Sequence, residues 1–212
     1  MNRIAAALGL LALILLPACR LSDVAAAPGE AIFRDDFSAP WRGWESTPAQ
    51  GSVTTFEEGV MRVAILGDAT SVITVPGLDF GDVRIEADTL KQGGTNMNRI
   101  GLVCRYSDSQ NYYFFIVSTD GFYGLGKVTD GAASLLGMTE MQRSEVVQPQ
   151  RGGVNHLRAD CIGENLTLYD NGRELAQAAD PDHPSGDVGT FAGTADEPAL
   201  DVAFDNFVVI KP

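Results

Sequence analysis

Val83-Arg84-Ile85-Glu86-Ala87-Asp88-Thr89-Leu90 sets apolar Val83, Ile85 and Ala87 against charged Arg84, Glu86 and Asp88. A period of two marks a strand with one face in a core and the other in water. Short β-branched or aromatic runs recur on both sides of it: Ile32–Phe37, Ser52–Phe56, Val60–Leu66, Ser71–Val75, Ile100–Tyr106, Tyr112–Ser118, Phe122–Val128, Leu157–Ile162, Leu166–Tyr169, Glu174–Gln177, Val188–Ala192 and Val202–Ile210. Gly, Asn and Asp punctuate them at a spacing of roughly eight to twelve residues, and helix-period patterns are scarce after residue 31. Many short strands joined this way predict an all-β fold, an antiparallel β-sandwich or barrel. The firmest turn is Asp170-Asn171-Gly172-Arg173. Its Asn-Gly pair tolerates the two positive φ angles of a type I′ hairpin, so it reads as a structural element.

The N-terminus carries a different signal. Arg3 is the only charged residue before an apolar run that ends Leu16-Pro17-Ala18-Cys19. A basic start, a short apolar stretch and a small residue at the end describe a secretory signal peptide. Leu-x-Ala-Cys resembles the lipobox of bacterial lipoproteins, which implies cleavage before Cys19 and lipidation of that cysteine. An uncleaved anchor or an ordinary signal peptide are the competing readings, although the run is shorter than the ~20 residues of a spanning helix. Residues 1–18 are thus expected to be signal, and residues 19–31, with Ala25-Ala26-Ala27-Pro28-Gly29, a breaker-rich tether. Residues 32–212 then form one domain, exported and lipid-anchored on the extracytoplasmic face of a bacterial envelope. Arg20-Leu21-Ser22 puts no Asp beside the cysteine; in a two-membrane cell that resembles an outer-membrane destination.

The chain has 28 Asp plus Glu against 15 Lys plus Arg, a net charge of −13. No basic face is available to displace counterions from phosphate, which excludes nucleic acid as a partner. The same acidity disfavours contact of the domain body with anionic lipid.

Five segments, in order, carry a resemblance over most of residues 32–212: Phe33-Arg34-Asp35-Asp36-Phe37-Ser38 with Trp44; Arg105-Tyr106-Ser107-Asp108 with Asn111-Tyr112-Tyr113; Asn155-His156-Leu157-Arg158 with Leu166-Thr167-Leu168-Tyr169-Asp170-Asn171-Gly172; Gly186-Asp187-Val188-Gly189; and Phe204-Asp205-Asn206-Phe207. Together they resemble the concanavalin A-like lectin/glucanase superfamily, close to its laminin G-like jelly rolls. The resemblance implies a jelly-roll sandwich and a non-catalytic, surface-anchored module that binds carbohydrate or a cell-surface protein. A glycoside hydrolase of the same superfamily, or a structural or adhesion domain of the envelope, is the alternative, since one fold hosts many functions.

Candidate chemistry follows from particular residues. With Cys19 assigned to lipid, Cys104 and Cys161 remain, each on the apolar parity of its strand. In an oxidising compartment they read as a disulfide, or else as two buried thiols. Glucanases of the superfamily carry Glu-x-Asp-x-x-Glu, with acid and nucleophile about 5.5 Å apart. Glu86 and Asp88 share a strand face, but Lys91 stands where the third carboxylate belongs. A solvated face explains the pair better than catalysis, and no catalytic residue is assigned. The resemblance also implies a structural calcium held by Asp205 and the Gly59 carbonyl, with Asp36 as neighbour; the rival reading is that these residues cap strand ends. For stacking on sugar rings the candidates are Trp41, Trp44, Tyr112, Tyr113 and Tyr123. Tyr112–Val117 is apolar on both faces, so that strand is either covered on both sides or borders a groove.

Overall fold

The computed structural model describes residues 26–147 and 153–212. The expected signal peptide, Cys19 and the start of the tether lie outside the described residues. Sixteen strands and no helix run through the rest: β1 (Ala31–Asp35), β2 (Glu45–Ser46), β3 (Ser52–Glu57), β4 (Val60–Ile65), β5 (Ser71–Val75), β6 (Val83–Gly94), β7 (Asn98–Asp108), β8 (Asn111–Ser118), β9 (Phe122–Thr129), β10 (Ala132–Leu135), β11 (Gln142–Arg143), β12 (Val154–Ile162), β13 (Asn165–Asp170), β14 (Arg173–Ala179), β15 (Asp187–Thr194) and β16 (Leu200–Ile210).

They form two antiparallel sheets. The first has the order β14-β13-β12-β6-β16-β4-β3, with β1 also on β16; the second has the order β10-β9-β8-β7-β15-β5-β2, with β11 on β9. Strand β6 lies inside the first sheet, where its alternation does what the pattern demands. Val83, Ile85 and Ala87 enter the core while Arg84, Glu86 and Asp88 turn outward. Facing them from the second sheet are Leu102, Tyr113, Phe115 and Leu125, all fully buried. Burial of this shared face holds the two layers together. Cys104 of β7 and Cys161 of β12 are bonded across it, one from each sheet, at a sequence separation of 57.

Residue choice at the turns follows backbone geometry. Asn171 and Gly172 have φ of 51° and 77°, the type I′ hairpin expected between β13 and β14. Glu58 and Gly59 (φ 54° and 76°) make an equivalent hairpin between β3 and β4. Gly59 is therefore a turn residue first. The bulge at Arg105 (φ 51°) folds that side chain between the layers. There its Nη1 donates to the His183 carbonyl and its Nη2 to the Gly163 carbonyl, tying two inter-strand loops to β7.

The first residues of the domain are organised by Asp35. Its Oδ1 accepts the Phe37 amide, and its Oδ2 accepts the Trp41 amide and the Trp44 indole, all at 2.7–2.8 Å. Trp44 is thereby drawn inward against Phe33, Phe37 and Phe207.

Candidate functional site

A second apolar cluster lies on the side of the second sheet that faces away from the core. Ile73, Val103, Tyr112, Phe114, Ile116, Val128 and Phe191 form it, with Tyr106, Leu135 and Met141 packed around them. Register explains the assembly. Phe191 of β15 pairs with Ile73 of β5 on one side and Gly101 of β7 on the other. Val103 is opposite Phe114, and Phe114 is opposite Gly126 of β9. Glycines thus alternate with rings along this face.

At Gly126 the reason is steric. A Cβ there would fall on the Phe114 ring and against the Ser134 carbonyl of β10. The far edge of the ring occupies the space over the glycine, a pairing that covers exposed backbone in sheets. Gly126→Ala is expected to lift Phe114 or open the β9–β10 ladder, lowering unfolding stability by about 1–3 kcal/mol. Urea denaturation checks this; an unchanged midpoint contradicts the close approach.

The result is a groove of about 360 Å³ floored by Phe114, Ile116 and Phe191, with Tyr112 and Leu135 on its walls. Thr70, Ser71 and Ser134 bring hydroxyls to the rim, and Arg99 brings a guanidinium. Burial pushes the Tyr112 hydroxyl up to about 12, with Tyr106 adding to the rise, so it stays protonated and able to donate.

The candidate aromatics separate into different places. Tyr112 lines the groove. Trp44 is 9 % exposed and Tyr113 is 0 % exposed; both belong to the inter-sheet core. They are corrected from ligand-stacking to structural residues, because a ring enclosed by its own protein has no face to offer. The Tyr113 hydroxyl donates to Asp180 Oδ1 and accepts the His183 amide, which anchors the loop before β15. Tyr123 packs at an open edge between the layers, beside Met138 and Leu175. Trp41 is 52 % exposed, with its indole N–H held by the Pro76 carbonyl, away from the groove lining. Phe114, Ile116 and Phe191 were not singled out from sequence. The usable signal was glycine on the outward parity, in Gly124-Leu125-Gly126 and on either side of Phe191 at Gly189 and Gly193.

The opposite outer face, on the first sheet, is ionic. His156 Nδ1 contacts Asp88 Oδ1 at 2.8 Å, and the Asn206 amide donates to Asp88 Oδ2. Glu86 lies 3.4 Å from His156 Nε2. Burial alone would raise Asp160, but hydrogen bonds from Arg158 and Arg84 hold its carboxyl below the ordinary value. Arg158 also stacks over Tyr169 at 4.2 Å. Glu86 and Asp88 do share a face, turned away from the groove, while Lys91 points inward with its ammonium on Asn96 Oδ1.

The expected calcium donors stand around one stretch of β16, where Asp35 pairs with Phe207 on one side and Met61 with Phe204 on the other. Asp36 is exposed, and its Oδ1 accepts both the amide and the hydroxyl of Ser38. Asp205 Oδ1 accepts the Asn206 amide. Among the described residues no three His, Cys, Asp or Glu are grouped to hold a metal ion. Calcium ordinarily takes six to eight oxygens, and Asp36, Asp205 and the Gly59 carbonyl would supply part of such a shell.

Known structures share this arrangement. A carbohydrate binding module, CBM66, from Bacillus subtilis aligns over 79 % of this chain and 95 % of its own, with a TM-score of 0.63 and 19 % identity. A Bacillus subtilis protein of unknown function with a galectin-like fold covers 87 % and 97 % at TM-score 0.67 and 11 % identity. The β-glucanase of Bacillus licheniformis covers 85 % and 98 % at TM-score 0.59 and 10 % identity. The fold is a concanavalin A-like jelly roll. No protein-family model matches the chain, and no curated protein matches it in sequence.

Proposed function

We propose that the chain is an exported, lipid-tethered module that binds carbohydrate, without catalysis, in the groove on the outer face of the second sheet. The groove itself carries this reading. An apolar floor of Phe114 and Phe191 suits the C–H faces of sugar rings, and rim hydroxyls with Arg99 suit their oxygens. The likeness of the fold to a carbohydrate binding module supports the ligand class. Binding is favoured over hydrolysis because, among the described residues, the groove lining contains no Asp or Glu. Glycoside cleavage ordinarily needs two carboxylates flanking the bond, and Glu86 and Asp88 lie on the other sheet. The lipid tether rests on Leu16-Pro17-Ala18-Cys19.

A glycan array probed with the full-length chain tests the proposal against Ala133→Trp. Ala133 is an exposed residue of the groove lining on β10, so an indole there obstructs the groove without entering the core. The expected result is glycan binding by the native chain, lost by at least about tenfold in the variant, with an unchanged melting temperature. Binding that ignores the indole displaces the site. Release of sugar from polysaccharide overturns the non-catalytic reading, and silence on the array overturns the ligand class.

A further inference from the structure

The groove stands out electrostatically from the rest of the molecule. The chain carries a net charge of −13, yet Arg99 is the one ionised side chain among the described residues of the lining. Arg99 is exposed on β7, where it faces Gly193 of β15 across the ladder. A glycine partner leaves that side of the guanidinium uncrowded.

No side-chain hydrogen bond or ion pair engages the Arg99 guanidinium among the described residues. Three outer-face arginines are committed: Arg62 grips Asp201 through two nitrogens, and Arg84 and Arg158 share Asp160. Two neighbouring threonine hydroxyls are committed as well, which leaves those of Ser71 and Ser134 to the groove. Thr194 Oγ1 donates to the Gly67 carbonyl and Thr70 Oγ1 to the Asp68 carbonyl, which holds the loop before β5. Arg99 is therefore a ready planar donor at the mouth of an apolar groove, a geometry matched to carboxylate.

We infer that the groove selects glycans bearing an isolated carboxylate, a single uronate among neutral sugars, through Arg99. This rests on the carbohydrate reading of the groove. Two effects of different range set the selectivity. The acidic body repels a polyanion at distance, whereas contact with Arg99 beside Phe191 acts over a few ångströms and is little screened. One carboxylate gains the contact, and a run of them meets the repulsion.

The test uses the full-length chain and a panel of oligosaccharides, each carrying one glucuronate or galacturonate, beside carboxyl-reduced counterparts. The uronate member is expected to bind about tenfold tighter, as befits a charge-assisted pair. Arg99→Ala should bring the uronate and carboxyl-reduced members of each pair to equal affinity, and Arg99→Lys should restore part of the preference. Melting curves confirm that the variants fold. Equal binding within each pair, or a preference that survives Arg99→Ala, overturns the inference and leaves carbohydrate binding standing. Failure of both members across the whole panel overturns the two together.

Discussion

Replacing both Cys104 and Cys161 by alanine is expected to lower the unfolding free energy by about 4 kcal/mol. The bond joins β7 in the second sheet to β12 in the first, closing a loop of 57 residues that contains β8, β9, β10 and β11. Half of the strands of one sheet are thereby leashed to the other before any strand pairs. Without the link, the unfolded chain regains the freedom of that loop, and the difference appears as lost stability. Both cysteines are fully buried, so truncation also removes packing atoms from the centre of the sandwich and adds to the loss. Urea midpoints of the native chain and the double variant measure it, and a melting temperature about 10 °C lower should accompany it. Native protein unfolded under reductant should shift by a similar amount. A double variant that unfolds with the native protein would show that core contacts alone hold the layers in place.

Stability should also fall between about pH 4 and pH 7 through one carboxylate, Asp170. This residue ends β13 at the Asn171-Gly172 hairpin and faces inward beside Leu157. It is fully buried, and among the described residues neither carboxylate oxygen has a hydrogen-bond partner of good geometry. Burial pushes its pKa up to about 7, with the His156 charge and the Asn171 amide pulling weakly the other way. The folded state thus prefers the neutral acid, while the unfolded chain ionises near 3.8. Below about pH 4 both states hold the proton and Asp170 costs nothing. As pH rises the unfolded state gains by ionising, and the contribution is fully lost above about pH 7. The amplitude is up to about 4 kcal/mol. Asp160 and Asp180 work in the opposite sense, because their carboxyls are held low by Arg158 and Arg84 and by Lys127. The measurement is therefore the difference between native chain and Asp170→Asn, unfolded at intervals from pH 4 to pH 8. The variant should gain on the native protein as pH rises. Parallel profiles would mean that Asp170 is not the source.

Alternation made the architecture legible. Val83–Leu90, Leu157–Ile162 and Val202–Ile210 each display one apolar face, and they became the neighbouring strands β6, β12 and β16. Cys104 and Cys161 could be read as core-facing for the same reason. The extra strands β2, β10 and β11 are short or lack β-branched residues, as in Ala132-Ala133-Ser134-Leu135, and their pairing is decided by their neighbours. The groove was only half legible. In Tyr112–Val117 both parities are apolar, so alternation cannot say which rings enter the core. Tyr113, Phe115 and Val117 do, while Tyr112, Phe114 and Ile116 turn to the groove. Selecting rings by residue type brought in Trp44 and Tyr113, which the Asp35 carboxylate and the Asp180 loop respectively hold inside. Gly59 has its own explanation in the φ of a hairpin, independent of any ion.

The close seating of Phe114 on Gly126 means that groove depth is a property of the backbone. Arg99, Ser71, Ala133 and Ser134 stand exposed around that floor and take no part in either apolar cluster. Exchanging exposed residues of this kind usually alters stability by less than about 0.5 kcal/mol. Ligand preference is therefore free to drift through these four positions over generations, while the recess that receives the ligand is inherited unchanged.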